Sequence, residues 1–134
     1  MTSSTSNRRS SSKSILAVDD EYDIVNLIQD SLQRHRFRVC IFTEPSAVLE
    51  HFISHPKDYD IVISDIRMPG MNGYEFVRKV KESNPKVKVI LMSAFEINDR
   101  EFHNMLPDIK VDGFLQKPFS IQQLNDLIGK ISRD

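Results

Sequence analysis

Cysteine is almost absent from this chain: Cys40 stands alone among 134 residues. An intramolecular disulfide is therefore excluded. In the apolar setting Arg38-Val39-Cys40-Ile41-Phe42 the thiol is expected to be buried and inert rather than a redox sensor. Long hydrophobic runs are also missing. None approaches the roughly 20 residues that span a bilayer, and the N-terminus carries no stretch of signal-peptide type. A cytoplasmic protein without a membrane partner is the expectation. Glycine is scarce, at four residues, and no Gly-rich phosphate loop follows the first apolar run. A nucleotide or flavin binder of that kind is disfavoured.

Charge of one sign is lacking as well. The net charge is −1, but it is uneven. Residues 1–13 hold Arg8, Arg9 and Lys13 and no acid, which leaves about −4 on the rest. A mildly acidic body argues against nucleic acid as the main partner, and two arginines are too few for a nucleic-acid or membrane arm. Apart from Met1, the first 13 residues are otherwise Ser, Thr and Asn. They have too little apolar surface to offset the entropy of ordering. A disordered tail over 1–13 and one domain over 14–132 are predicted.

What is present is an alternation of strand and helix signals. Strands are predicted over 14–19, 38–42, 60–65, 87–93 and 112–116. Between them lie helical patterns. Ile24, Leu27, Ile28, Ser31 and Leu32 share one face. Pro45 opens a second helix with Val48, Leu49, Phe52 and Ile53 inward. Phe76, Val77 and Val80 mark a third helix over 74–84. A fourth over 96–106 has a poorly apolar face. Ser120 caps a fifth, with Ile121, Leu124, Leu127, Ile128 and Ile131 as its stripe. Met68-Pro69-Gly70-Met71-Asn72-Gly73 is turn chemistry. Five βα units imply an α/β fold, a doubly wound parallel sheet with helices on both faces.

Four apolar runs end in polar residues of one chemical kind. Ile15-Leu16-Ala17-Val18 meets Asp19-Asp20, and Ile61-Val62-Ile63-Ser64 meets Asp65. Val89-Ile90-Leu91-Met92 meets Ser93, and Gly113-Phe114-Leu115-Gln116 meets Lys117-Pro118. Ligands of open parallel sheets collect at the carboxyl ends of the strands. Carboxylate oxygens there suit Mg²⁺, with Mn²⁺ as the alternative. Asp65 would be a nucleophile adequate for phosphorus. Ser93 could hydrogen-bond a phosphoryl oxygen, and Lys117 could offset its charge. Singly, each residue reads as a helix cap or a solvated charge. Their joint placement favours a site.

The Asp19-Asp20 pair, the segment Asp65-Ile66-Arg67-Met68-Pro69-Gly70-Met71-Asn72-Gly73, the Ser93-Ala94 step and Lys117-Pro118-Phe119 resemble the receiver domain of two-component response regulators. The resemblance spans 14–132. It implies a flavodoxin-like (βα)5 fold of strand order 2-1-3-4-5. It makes Asp65 the phosphoacceptor for a histidine kinase or phosphotransfer protein. Asp20 would bind Mg²⁺ directly, Asp19 through water, and Asp65 with the backbone carbonyl of Arg67 would complete the protein ligands. Ser93 and Lys117 would hold the phosphoryl oxygens, the Lys117-Pro118 peptide would be cis, and Ser93 and Phe114 would be the switch pair. Arg67, Ala94 and Phe95 would flank the phosphoryl group.

Serine stands at 93 where the family commonly has threonine, and phenylalanine at 114 where tyrosine is common. The bulk of Arg67 and Phe95 is expected to hinder the hydrolytic water. A downstream protein is expected to read residues 96–132. The chain would act as a monomer or a phosphorylation-dependent dimer, standing alone or as part of a longer protein. It would be a signalling domain, with no activity beyond its own phosphorylation and dephosphorylation. A pseudo-receiver that only binds partners is the alternative. A haloacid-dehalogenase-type phosphatase is disfavoured, since Arg67 occupies the place of its second acid. His35, His51, His55 and His103 are scattered and read as surface or structural residues.

Overall fold

The computed structural model describes residues 13–95 and 99–132. The reading of 1–13 as a tail therefore lies almost wholly outside the described residues. The elements run β1 (Ser14–Val18), α1 (Tyr22–Gln33), β2 (Arg38–Phe42), α2 (Pro45–Ser54) and β3 (Ile61–Asp65). A short hairpin of β4 (Arg67–Met68) and β5 (Met71–Asn72) follows. Then come α3 (Gly73–Ser83), β6 (Lys88–Ser93), α4 (Asp99–Met105), β7 (Gly113–Gln116) and α5 (Ile121–Ser132). The main sheet has the order β2-β1-β3-β6-β7, with every neighbouring pair parallel. Discounting the hairpin, this is the 2-1-3-4-5 order the resemblance implied.

Side chains alternate across a strand with period two, and the sheet divides its apolar residues accordingly. Leu16, Val18, Val62, Val89 and Leu91 face one way, against Val48 and Phe52 of α2 and Phe76, Val77 and Val80 of α3. Ile15, Ala17, Ile61, Ile63, Ile90 and Met92 face the other, against Val25, Ile28 and Leu32 of α1 and Leu124, Ile128 and Ile131 of α5. Each fully buried Leu, Ile or Val contributes roughly 1.5–3 kcal/mol. Ser31 and Asn125 join α1 to α5 by a 3.1 Å hydrogen bond.

Local chemistry fixes the element ends. Asn72 Oδ1 accepts from Tyr74 N at 2.7 Å and starts α3. Ser120 and Gln123 cap α5 reciprocally: Ser120 Oγ accepts from Gln123 N, and Gln123 Oε1 accepts from Ser120 N. Arg36 closes α1 at φ +71, with Phe37 N donating to Leu32 O.

Several expectations need correction. Ile53 and Ile121 point outward and are about half exposed, because each sits at the margin of its helix stripe. The turn after β3 is a two-stranded hairpin rather than a loop alone. Gly70 takes positive φ there, but Gly73 does not. Gly73 is required by close approach: an added Cβ would stand 2.6 Å from Ile66 Cα and would also meet the Asp65 carbonyl. The fourth helix begins at Asp99, and the expected start at residues 96–98 lies outside the described residues.

Candidate functional site

Parallel strands deliver their carboxyl ends to one edge of the sheet. The register pairs Val18 with Ser64, Asp65 with Met92, and Ser93 with Gln116. The residues that follow β1 and β7 therefore stand over the ends of β3 and β6. Carboxylate oxygens of Asp19, Asp20 and Asp65 lie within 4.8 Å of one another. Asp19 and Asp65 are buried, and Asp20 is exposed.

Lys117 bridges the cleft. Its Nζ is 2.6 Å from Asp19 Oδ2, 3.3 Å from Asp65 Oδ2 and 3.2 Å from Glu21 Oε1. The Lys117-Pro118 peptide is cis, and Lys117 N donates to Ser93 O at 2.7 Å. Asp19 Oδ1 accepts from Glu21 N at 2.9 Å. Asp19 Oδ2 has the ion pair with Lys117 but no contact of hydrogen-bond geometry.

Burial raises the Asp19 carboxyl to about 6 against the ordinary 3.8, with Lys117 and the Glu21 amide opposing the shift. Burial likewise raises Asp65, offset in part by the Lys117 charge and by the backbone N–H of Arg67. Burial alone would lower Lys117; the bond and charge of Asp19, then Asp65 and Glu21, raise it above its ordinary value. The cleft holds more carboxylate than one ammonium can neutralise. Hard oxygen donors at close spacing fit a divalent cation of the Mg²⁺ type.

The remaining residues are placed as follows. Ser93 is buried, and its Oγ accepts from Phe95 N at 3.0 Å rather than touching Asp65 or Lys117. Ala94 is exposed. Phe95 is 59% exposed, and the Arg67 guanidinium carbon lies 4.7 Å from its ring centroid. Phe114 is half-buried against the core layer of α2 and α3. Glu21 was not among the expected site residues; its place beside the Asp pair was the available signal. Ser64, buried beneath the site with Oγ donating to Asp65 O at 2.9 Å, reads in sequence as one more strand residue.

The model of the response regulator receiver domain family matches residues 15–129. The chain belongs to this family. Receiver domains are signalling domains of two-component systems, and their acidic pocket is the cleft just described. The chain is 27% identical over 122 residues to the alkaline phosphatase synthesis transcriptional regulatory protein PhoP of Bacillus subtilis, covering 90% of this chain and 49% of that protein. It is 33% identical over 115 residues to the sensor kinase CckA of Brucella abortus, covering 86% of this chain and 12% of that one. The receiver thus spans about half or less of these relatives. The response regulator TrrA of Thermotoga maritima, solved in complex with Mg²⁺–BeF, superposes with a TM-score of 0.75 at 28% identity, covering 89% of this chain and 98% of that one. No helix among the described residues is long and apolar enough to cross a membrane.

Proposed function

We propose that Asp65 accepts a phosphoryl group from a phosphohistidine on a histidine kinase or phosphotransfer protein. The observation that carries this reading is the position of Asp65 at the end of β3. It lies 3.3 Å from Lys117 and within 4.8 Å of Asp19 and Asp20. An Asp65 oxygen attacks phosphorus, the P–N bond to imidazole breaks, and the imidazole leaves with a proton. Lys117 then faces a phosphoryl oxygen instead of the free carboxylate. Asp19, Asp20 and the Arg67 carbonyl would hold Mg²⁺, which supplies neutralising charge for phosphoryl transfer.

The switch is local. Ser93 Oγ exchanges the Phe95 N–H for a phosphoryl oxygen, which moves the loop after β6. The half-buried Phe114 ring on neighbouring β7 follows inward. A partner protein reads the changed face over residues 96–132. Arg67 and Phe95 cover the cleft mouth and slow hydrolysis of the acyl phosphate.

Incubation with Mg²⁺ and acetyl phosphate, followed by intact mass measurement, tests the reading. A single phosphate adduct on the wild type that vanishes in Asp65→Asn is expected. No adduct at any Mg²⁺ concentration would leave a phosphorylation-independent interaction module in its place.

A further inference from the structure

The sheet has a second edge. At the amino ends of the strands, opposite the acid cleft, the register sets Arg38 beside Ser14 and Lys88 beside Ile61. A cavity of about 440 Å³ opens there, within the size range of small-ligand sites. Its walls include Lys13 before β1, Lys57 after α2, Lys86 before β6 and Lys88 at its start. Among the described lining residues Asp60 is the sole carboxylate, and its Oδ2 already accepts from Ser14 N at 2.9 Å. The neighbouring cavity, lined by Arg38 and sharing Lys57 and Tyr59, adds a further cation and Asp58.

Helix C-termini end at this edge, and cations there complement helix dipoles. That accounts for Lys88, whose Nζ donates to Ile131 O at 2.8 Å near the end of α5. It does not account for the others. Lys13, Lys57 and Lys86 have no ion-pair partner among the described residues, and none of their ammonium groups bonds a helix carbonyl. Three ammonium groups without an ion-pair partner among the described residues thus line one cavity, Lys57 and Lys86 exposed and Lys13 half-buried. An anion is what such a wall is short of. Lysine serves phosphate as a mobile point charge.

We propose that this cavity binds a compact anion carrying two or more phosphate groups, inorganic or nucleotide, independently of the acid cleft. The test is a titration of the full chain with pyrophosphate in metal-depleted, low-salt buffer, read by amide chemical shifts. Saturable binding is expected, with shifts at Lys13, Lys57 and Lys86, weakening steeply with added salt. Lys57→Gln with Lys86→Gln should weaken it at least tenfold. Lys79→Gln with Lys130→Gln removes the same charge from other surfaces and should leave it intact. Asp65→Asn should also bind normally, so failure here is separable from failure of the phosphoacceptor reading. A parallel titration with ADP separates the sources. Tighter binding than pyrophosphate supports a nucleotide, and equal binding supports an inorganic ligand. Equal losses in both lysine pairs, or no saturable shift by about 10 mM, overturn the proposal.

Discussion

Lys117 Nζ sits 2.6 Å from the buried Asp19 Oδ2, the shortest of its three contacts with carboxylates. This pairing holds the end of β7 against the end of β1, across β3 and β6. It also sets one ammonium between two like charges, Asp19 and Asp65.

Loss of Lys117 should therefore weaken the fold as well as phosphorylation. Breaking one side of a buried pair is costly, and the open cleft softens the cost. Lys117→Met is expected to lower the stability of the metal-free protein by about 1–3 kcal/mol. Urea unfolding without Mg²⁺ would show it as a lowered midpoint, and the acetyl phosphate reaction of the same variant should be strongly slowed. An unchanged midpoint would mean the ion pair contributes nothing.

The cleft should couple Mg²⁺ to protons. Asp19 has its carboxyl raised to about 6 from 3.8. Between about pH 4 and 6 the folded, metal-free protein binds more protons than the unfolded chain, so stability falls as pH rises through this window. Mg²⁺ needs the ionised carboxylate, so its affinity should drop as pH falls below about 6, approaching tenfold per pH unit. Mg²⁺ titrations at pH 7.5 and 5 would measure this. Equal affinities at both values contradict it.

The Arg67–Phe95 contact should set the lifetime of the phosphorylated form. Phe95→Ala removes the ring that lies 4.7 Å from the Arg67 guanidinium. A several-fold faster decay of the phosphate adduct is expected, with little change in unfolding midpoint because Phe95 is exposed. Decay at the wild-type rate would show that the pair does not shield the acyl phosphate.

Gly73 should tolerate no side chain. Gly73→Ala places a methyl group against Asp65 and Ile66 backbone. A cost of about 1–3 kcal/mol is expected from overpacking, together with slower phosphorylation because Asp65 is displaced. Calorimetry and the adduct assay would check both effects; a variant of wild-type stability would show that the hairpin yields freely.

Arg36 offers the opposite case. It stands at φ +71, where an L side chain is strained and glycine is not. Arg36→Gly should raise stability by up to about 1 kcal/mol, seen as a higher urea midpoint.

Much of the fold was legible because apolar period decides element type. The runs at Ile15, Ile61 and Val89 are continuous, which only a strand covered on both faces requires, and each formed one. Pro45 and Ser120 marked helix starts through backbone chemistry that acts within a few residues. Ile53 and Ile121 misled because an apolar residue at the margin of a stripe has no local signal for which side of the helix the core will cover.

The same division holds at the site. By itself the sequence determined the parts: which strands end in Asp19, Asp65, Ser93 and Lys117, and that their types suit a cation and a phosphoryl group. Only the tertiary structure decided the partnerships. Lys117 is 96 residues from Glu21 and reaches it at 3.2 Å. Ser93 turns to Phe95 N rather than into the cleft, and Arg67 lies over Phe95. Lys13, Lys57, Lys86 and Lys88 share a wall at the far edge. The reason is physical. Identity and period act along the chain, whereas charge pairing and burial depend on distances that exist only after five parallel strands have been brought into register.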